Sequence, residues 1–166
     1  MFRSSGDPEA AFPLFQDAFA RAVEAGEHFL AGDAAHMCAI SVDDRNVMED
    51  WTQRGLDLGE REPDAAYWAG PLLNNLAWAY HEEGDHEQAL GLFRRALEAR
   101  ERDSDNEAAM AFARYGVGVA LRALGRPGEA VVMLEPAAAW AKESGKPDAE
   151  YDKELALAVR EADRSR

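Results

Sequence analysis

The 166-residue chain has 32 Asp and Glu residues against 18 Lys and Arg residues, which gives it a net charge of −14. Nucleic acids and anionic membrane surfaces attract lysine and arginine, so this charge disfavours both as partners. A basic or neutral protein partner is compatible with it, and the simplest interpretation is that the acidity keeps the chain soluble. The length and the hydrophobic fraction of 47% suit one folded domain.

The compartment expected from the sequence is the cytoplasm. The amino terminus has no apolar stretch long enough for a signal peptide, and no later segment reaches transmembrane length. The single cysteine, Cys38, excludes an intrachain disulfide. It lies in the apolar run at residues 37–40, so we expect a small buried hydrophobic residue.

The first predicted helix runs from about Asp7 to Ala25 and ends at Gly26. Pro13 falls inside this helix, and Pro136 falls inside a later one, three periods of 41 residues further along. Proline removes a backbone donor and clashes with the preceding turn. Both prolines are therefore expected to kink or restart their helices.

The rest of the chain shows an internal period of 41 residues. Pairs at this spacing are Ala77 with Gly118, Gly84 with Gly125, Ala89 with Ala130, Phe93 with Leu134 and Ala96 with Ala137. The small residues mark places where helices approach closely, between larger apolar residues. The period predicts one domain over residues 1–166, with helical hairpins at about 25–65, 66–106 and 107–147 and a capping helix at 148–164. The first hairpin is degenerate.

Start and stop signals divide each period into two antiparallel helices. Pro71 interrupts or begins the helix that contains Asn74 and Asn75. The predicted N-terminal signals are Asp85 with Gln88, Ser104 with Glu107, and Pro127, and the predicted stop is Gly125. The capping helix should pack through Tyr151, Leu155, Ala158, Val159 and Ala162.

Two copies of a short motif follow the 41-residue period. The first is Leu73-x2-Leu76-Ala77-x2-Tyr80 with Ala89-x3-Phe93, and the second is Arg114-x2-Val117-Gly118-x2-Leu121 with Ala130-x3-Leu134. These spacings resemble the tetratricopeptide repeat, although Leu73 and Arg114 replace its signature tryptophan and its closing proline is absent. The long period and the string Asn74-Asn75-Leu76-Ala77-x2-Tyr80 are similar to the long-helix subclass typified by kinesin light chain, in a small protein of bacterial type.

The resemblance implies an all-α fold, a right-handed α-solenoid of about three antiparallel helical hairpins with an N-terminal helix and a C-terminal capping helix. In such a stack the first helix of each hairpin lines a concave groove that holds an extended or helical peptide. No enzyme activity and no cofactor come with this fold. The resemblance therefore implies an adaptor or scaffold that binds a protein or peptide.

The candidate groove residues are those on the first helices that face away from the hairpin partner. The predicted peptide-binding set is Met37, Trp68, Asn74, Asn75, Trp78, His81, Tyr115 and Arg122, and Asp33, Ile40, Phe112 and Val119 share the same faces. The asparagine amides either hold a ligand backbone or bond within the stack. The aromatic residues either bury ligand side chains or belong to the core, and Arg122 suits a ligand carboxylate.

Two other functions remain open at this level. The module can self-associate as a homodimer through its groove or its end repeats. A metal-dependent enzyme is the third alternative, because Asp33 and His36 share one helix face and His81 is on the next predicted helix. Against it, His36 falls where Ala77 and Gly118 recur, and no recognised metal or catalytic motif is present. We predict no catalytic residue, no metal and no cofactor.

Overall fold

A computed structural model describes residues 8–102, 106–145 and 149–165 of the chain. Within these ranges all regular structure is helical, which confirms the predicted all-α fold. The elements are α1 (Pro8–Ala25), α2 (His28–Ile40), α3 (Arg45–Arg61), a 3-10 helix (Pro63–Trp68), α4 (Ala69–Glu82), α5 (His86–Glu101), α6 (Glu107–Ala123), α7 (Pro127–Glu143) and α8 (Ala149–Arg164). None of the described helices is long and apolar enough to cross a membrane.

The 41-residue period appears directly in the helix boundaries. Helices α3, α5 and α7 begin at Arg45, His86 and Pro127, each 41 residues after the last. The turns that precede α5 and α7 contain Gly84 and Gly125, whose φ angles are 87° and 70°. Side chains disfavour this left-handed region, so glycine is the residue that lets the chain reverse there.

The chain divides into two compact units, unit 1 (Met1–Leu76) and unit 2 (Ala77–Arg166). In unit 1, α1 packs on α2, α2 packs on α3, and both α2 and α3 contact the 3-10 helix. In unit 2, α5 packs on α6, α6 on α7, and α7 on α8. Each unit therefore consists of helices that pack on their neighbours in sequence, as in a helical repeat protein. The predicted single domain and the predicted repeat limits stay predictions.

Side-chain caps fix several helix starts. The Asp85 carboxylate accepts from the Gln88 backbone N–H at 3.2 Å, which confirms the predicted cap of α5. Helix α6 begins after Asn106, whose side chain accepts from the Ala109 N–H at 3.0 Å. The predicted capping box at Ser104 is therefore not the N-cap of α6, and Ser104 itself lies outside the described residues. Asn106 is as good a capping residue and is nearer to the first turn.

The prolines affect the helices less than the sequence suggests. Pro13 lies inside α1 and Pro136 lies inside α7, and both helices continue through them, so the prediction that the helices restart is wrong. Both prolines are exposed, and water there can satisfy the carbonyl that loses its intrahelical donor. Pro71 lies in the first turn of α4 and Pro127 is the first residue of α7, as predicted.

The core of unit 2 is built on small residues, as the repeat predicts. Ala77, Ala89, Ala130 and Ala137 are fully buried. Gly118 of α6 faces Leu134 of α7 so closely that a Cβ atom on Gly118 would lie 2.5 Å from Leu134 Cγ. The predicted larger residues of this unit that are buried are Phe93, Val117, Leu121 and Leu134.

The core of unit 1 combines buried alanines with a cluster of aromatic rings. Trp51 is 4% exposed, and its ring meets the edges of Phe12 and Phe19 at centroid distances of 6.3 and 5.2 Å. Cys38 is fully buried beside this cluster, as predicted. Burial raises the pKa of its thiol to about 11, partly opposed by Arg54, so Cys38 is protonated and unreactive at neutral pH.

Helix α8 covers the end of unit 2. Tyr151 and Ala158 are buried, and Leu155 packs on the same core. Val159 is 39% exposed, so its prediction as a packing residue is wrong. Val159 is one position after buried Ala158, and consecutive helical residues point about 100° apart.

Candidate functional site

The predicted residues of unit 1 meet around His36. The Asn75 amide nitrogen lies 2.8 Å from His36 Nε2, where the amide can donate to the neutral imidazole. The His36 ring lies on Trp68 with a centroid distance of 5.3 Å, and Trp68 Nε1 donates to the Phe29 carbonyl oxygen at 2.9 Å. Asn75 and Trp68 thus both form hydrogen bonds with residues of α2. For Asn75, the sequence had left open a hydrogen bond within the stack as the alternative to ligand binding, and the structure contains such a bond.

The other predicted residues of unit 1 differ in exposure. Asn74 is 6% exposed, and its Oδ1 has no hydrogen-bond donor among the described residues. Met37 and Asp33 are half-buried on α2, and Ile40 is 43% exposed at its end. A ligand on the surface of unit 1 therefore reaches Met37 more readily than Asn74.

Unit 1 also has an exposed aromatic cluster that the sequence analysis missed. Phe29 and Tyr67 are 48% and 39% exposed. Their rings lie 5.9 Å apart, and they lie 5.4 and 5.3 Å from the ring of Trp68. The sequence contained one signal for this cluster: Phe29 precedes His36 by seven residues, so the two share one face of a helix. The contact with Tyr67 depends on the 3-10 helix, which no sequence pattern predicted.

The predicted residues of unit 2 belong to a longer line of aromatic side chains. We call Trp78, Phe112, Tyr115 and Tyr151 the aromatic row. They come from α4, α6 and α8, and the Trp78 ring lies 6.5 Å from Phe112 and 6.0 Å from Tyr115. Tyr115 in turn lies 4.5 Å from Tyr151. Helices α4, α6 and α8 thus contribute rings to one continuous line of aromatic contacts.

Exposure varies along the aromatic row. Phe112 is 45% exposed, Trp78 and Tyr115 are half-buried, and Tyr151 is 7% exposed. Trp78 also meets the core, because its ring lies 4.9 Å from Phe93. Its indole N–H has no acceptor among the described residues. Trp78 and Tyr115 therefore combine the two roles that the sequence left open, and Phe112 offers most surface to a ligand.

His81 lies at one side of the row. Its ring meets Trp78 edge-on at 5.6 Å, and its Nδ1 lies 3.2 Å from Nδ1 of His86. Burial lowers the pKa of His81, and His86 lowers it further, against the opposing effect of Glu154 and Glu82. Because the ordinary value is 6.5, His81 is mostly uncharged at neutral pH.

Arg122 is already engaged within the chain. Its Nε donates to Glu154 Oε2 at 2.7 Å and its Nη2 donates to Glu154 Oε1 at 3.1 Å, a two-point contact between α6 and α8. Its Nη1 donates to Glu161 Oε1 at 3.2 Å. The hydrogen bond to Glu154 raises the pKa of Arg122. A ligand carboxylate would have to displace Glu154 or Glu161 to reach Arg122.

Val119 and the residues of the suggested metal corner do not lie as the sequence analysis proposed. Val119 is only 6% exposed and belongs to the core of unit 2. In the part of the chain that is described, no group of three or more His, Cys, Asp or Glu side chains is arranged to hold a metal ion. His36 contacts Asn75 and Trp68, while His81 contacts His86, so the suggested corner of Asp33, His36 and His81 is not such a group.

Comparison with known proteins agrees with this architecture. No curated protein sequence matches the chain. Residues 68–143, slightly less than half of the chain, match the family model described as tetratricopeptide repeat. The matched stretch begins in the 3-10 helix and ends at the last residue of α7, so it spans two helical hairpins. Together with the all-helical fold, the match supports a tetratricopeptide-type helical repeat protein.

Proposed function

We propose that the chain is a protein- or peptide-binding adaptor that holds a partner segment on the aromatic row of unit 2. The observation that carries this proposal is Phe112, which is 45% exposed beside Trp78 and Tyr115. Aromatic side chains that are partly buried in this way are typical anchors of protein interfaces. Tetratricopeptide repeats in general mediate contacts between proteins.

The chemistry around the row suits recognition. Phe112 and Trp78 can stack on apolar or planar groups, and Arg122 with its carboxylate partners can exchange hydrogen bonds with a ligand. We therefore propose a binding module of the long-helix tetratricopeptide subclass, without catalytic residues, metal or cofactor. We place it in the cytoplasm, and its charge of −14 disfavours nucleic acid or a membrane surface as the partner.

Residues of unit 1 supply a second contact surface in this proposal. Trp68 is half-buried and borders the exposed rings of Phe29 and Tyr67, and Met37 is half-buried on α2. Asn75 holds His36, and through it the position of Trp68. The buried Asn74 is the member of the predicted set that a ligand touches least.

Affinity capture from the native cell with a matched pair of variants tests the proposal. Phe112→Ser removes the exposed anchor of the row, whereas Val132→Ser changes a side chain that is 62% exposed on α7. Partners recovered with the wild type should be retained by Val132→Ser and reduced about tenfold by Phe112→Ser, the usual size of a binding hot spot. Equal recovery with both variants would remove the aromatic row as the binding surface.

Self-association is the second candidate function, and two exposed leucines favour it. Leu14 of α1 is 70% exposed and Leu30 of α2 is 55% exposed, both in unit 1. Burial of such side chains between two copies would give a homodimer. Light scattering over a range of concentrations checks this, and Leu14→Ser should then shift the equilibrium to monomer. A mass that is monomeric at every concentration eliminates this candidate.

A further inference from the structure

Acidic groups outnumber basic ones beside the aromatic row. Arg122 is the basic residue there, and it is held by both Glu154 and Glu161. Glu82 is exposed at the end of α4, and it acts electrostatically on His81 together with Glu154. Two carboxylates thus share one guanidinium, and Glu82 adds a further negative charge near His81, which leaves a local excess of negative charge.

The remaining titratable neighbours do not cancel this excess. The imidazole of His81 is mostly uncharged at neutral pH, because burial and His86 both oppose its protonation. Glu154 already accepts two hydrogen bonds from Arg122, so the basic residue has little free capacity for another anion. An acidic ligand would meet uncompensated repulsion from Glu82 and Glu161.

The rings of Trp78 and Phe112 also favour a positively charged ligand. The faces of Trp78 and Phe112 attract cations through their quadrupoles, most strongly when the cation is an arginine or lysine side chain. The rings lie 6.5 Å apart and are tilted by 33°, so they present neighbouring apolar faces. His81, whose ring meets Trp78 edge-on at 5.6 Å, is influenced by the charges of Glu82 and Glu154, so a cation on the Trp78 ring would lie in the same negative field.

We infer that the segment held on the aromatic row is basic and amphipathic, with Lys or Arg side chains next to apolar ones. This inference rests on the proposed function, because it names the partner chemistry of the same surface. The whole-chain charge of −14 acts in the same direction by attracting a basic partner over longer distances. A second copy of the chain carries the same negative charge and fits the row less well.

Three synthetic peptides test the inference. All have the same Leu and Phe positions, and the remaining positions are Lys in the first, Gln in the second and Glu in the third. Fluorescence anisotropy of labelled peptides measures their affinity for the full chain. The Lys peptide should bind at least about tenfold more tightly than the Glu peptide at low salt, and the difference should shrink at about 0.5 M salt, where charges are screened over a few Å.

Two charge-reversal variants separate the row from the net charge of the protein. Glu82→Lys and Glu135→Lys change the total charge equally, but Glu135 is an exposed residue of α7, a helix that contributes no residue to the row. Reversal at Glu82 replaces an attraction with a repulsion of similar size, so it should weaken the Lys peptide about tenfold. Glu135→Lys should change its affinity by less than about twofold, because solvent and salt screen distant charges.

The possible results distinguish this inference from the proposed function. Equal weakening by both reversals would mean attraction to overall charge and would overturn the inference. A Gln peptide that binds as tightly as the Lys peptide, and is lost with Phe112→Ser, would overturn it while supporting the binding function of the row. Tightest binding of the Glu peptide, or no binding of any peptide, would also overturn it. The capture experiment would then decide the proposed function alone.

Discussion

Units 1 and 2 both build packed helical hairpins with close glycine contacts, but different side chains fill the rest of their cores. In unit 2 the closest contacts use glycine: Gly116 of α6 faces the ring of Phe93, and Gly118 faces Leu134. An added Cβ would lie 2.5 Å from an atom of either neighbour. The absence of a side chain on α6 is what allows the large residues of α5 and α7 to fill the space between the helices.

Unit 1 has glycine contacts of the same kind, since a Cβ added to Gly55 would clash with the side chain of Leu72, but aromatic rings fill more of its core. Trp51 packs between Phe12 and Phe19, and Trp68 packs on His36. His36 stands 41 residues before Ala77, at a position where the repeat otherwise has a small residue. The bulky imidazole of His36 fits at this position because its ring packs against the ring of Trp68.

The difference explains which part of the chain is recognisable as a repeat. The family match covers residues 68–143, where the small residues recur at a fixed spacing. Unit 1 keeps this spacing only in part, because Gly55 lies 41 residues before Ala96 but His36 occupies the position 41 residues before Ala77. A helical hairpin can therefore form without the sequence pattern that identifies the repeat, because different side chains can fill the same space.

The largest effect should come from the aromatic core of unit 1. Trp51→Ala should lower the free energy of unfolding by about 3–5 kcal/mol, because it removes a nearly buried indole and leaves a cavity between two phenylalanine rings. Denaturant unfolding followed by circular dichroism measures it. Trp51→Phe keeps an aromatic ring and should lose clearly less. A loss below about 1 kcal/mol for the alanine variant would show that the rings of unit 1 do not hold its helices together.

A smaller effect should come from the glycine contact of unit 2. Gly118→Val places a branched side chain against Leu134 and should lower the free energy of unfolding by about 1–3 kcal/mol. Gly91 lies on α5 with open space around it, so Gly91→Ala should instead raise the free energy by up to about 1 kcal/mol through helix propensity. The same unfolding experiment measures both. Destabilisation of similar size by the two substitutions would contradict close packing at Gly118.

Local features were the most predictable from sequence. The turn glycines Gly84 and Gly125, the cap Asp85 and the helix start at Pro127 depend on a few adjacent residues, and all lie as predicted. Their spacing of 41 also placed the buried small residues of unit 2. These features could be predicted because backbone conformation and helix periodicity are set within one or two turns.

Contacts over longer distances were not predictable in the same way. Arg122 was correctly placed on a first helix, but its partners Glu154 and Glu161 lie 32 and 39 residues further along the chain. Their separation of seven residues puts them on one face of α8, which was a usable signal. The pairing itself depends on how α8 is aligned against α6, and no local pattern fixes that alignment. The hydrogen bond between Trp68 and the Phe29 carbonyl could not be predicted for the same reason, because it joins distant parts of the chain.

The smallest effect concerns protonation in unit 2, where His81 is packed against Trp78 and His86. The pKa of His81 in the folded chain is lowered from 6.5, by burial first and by His86 second. As the pH falls below 6.5 the unfolded chain therefore takes up the proton more readily than the folded chain, so stability is lost until the folded pKa is passed. Comparison of the wild type with His81→Gln at about pH 7.5 and 5.5 isolates this loss, because the carboxylates titrate in both proteins. The wild type should lose more stability between the two pH values, and an identical loss in both would mean that neither burial nor His86 opposes protonation of His81.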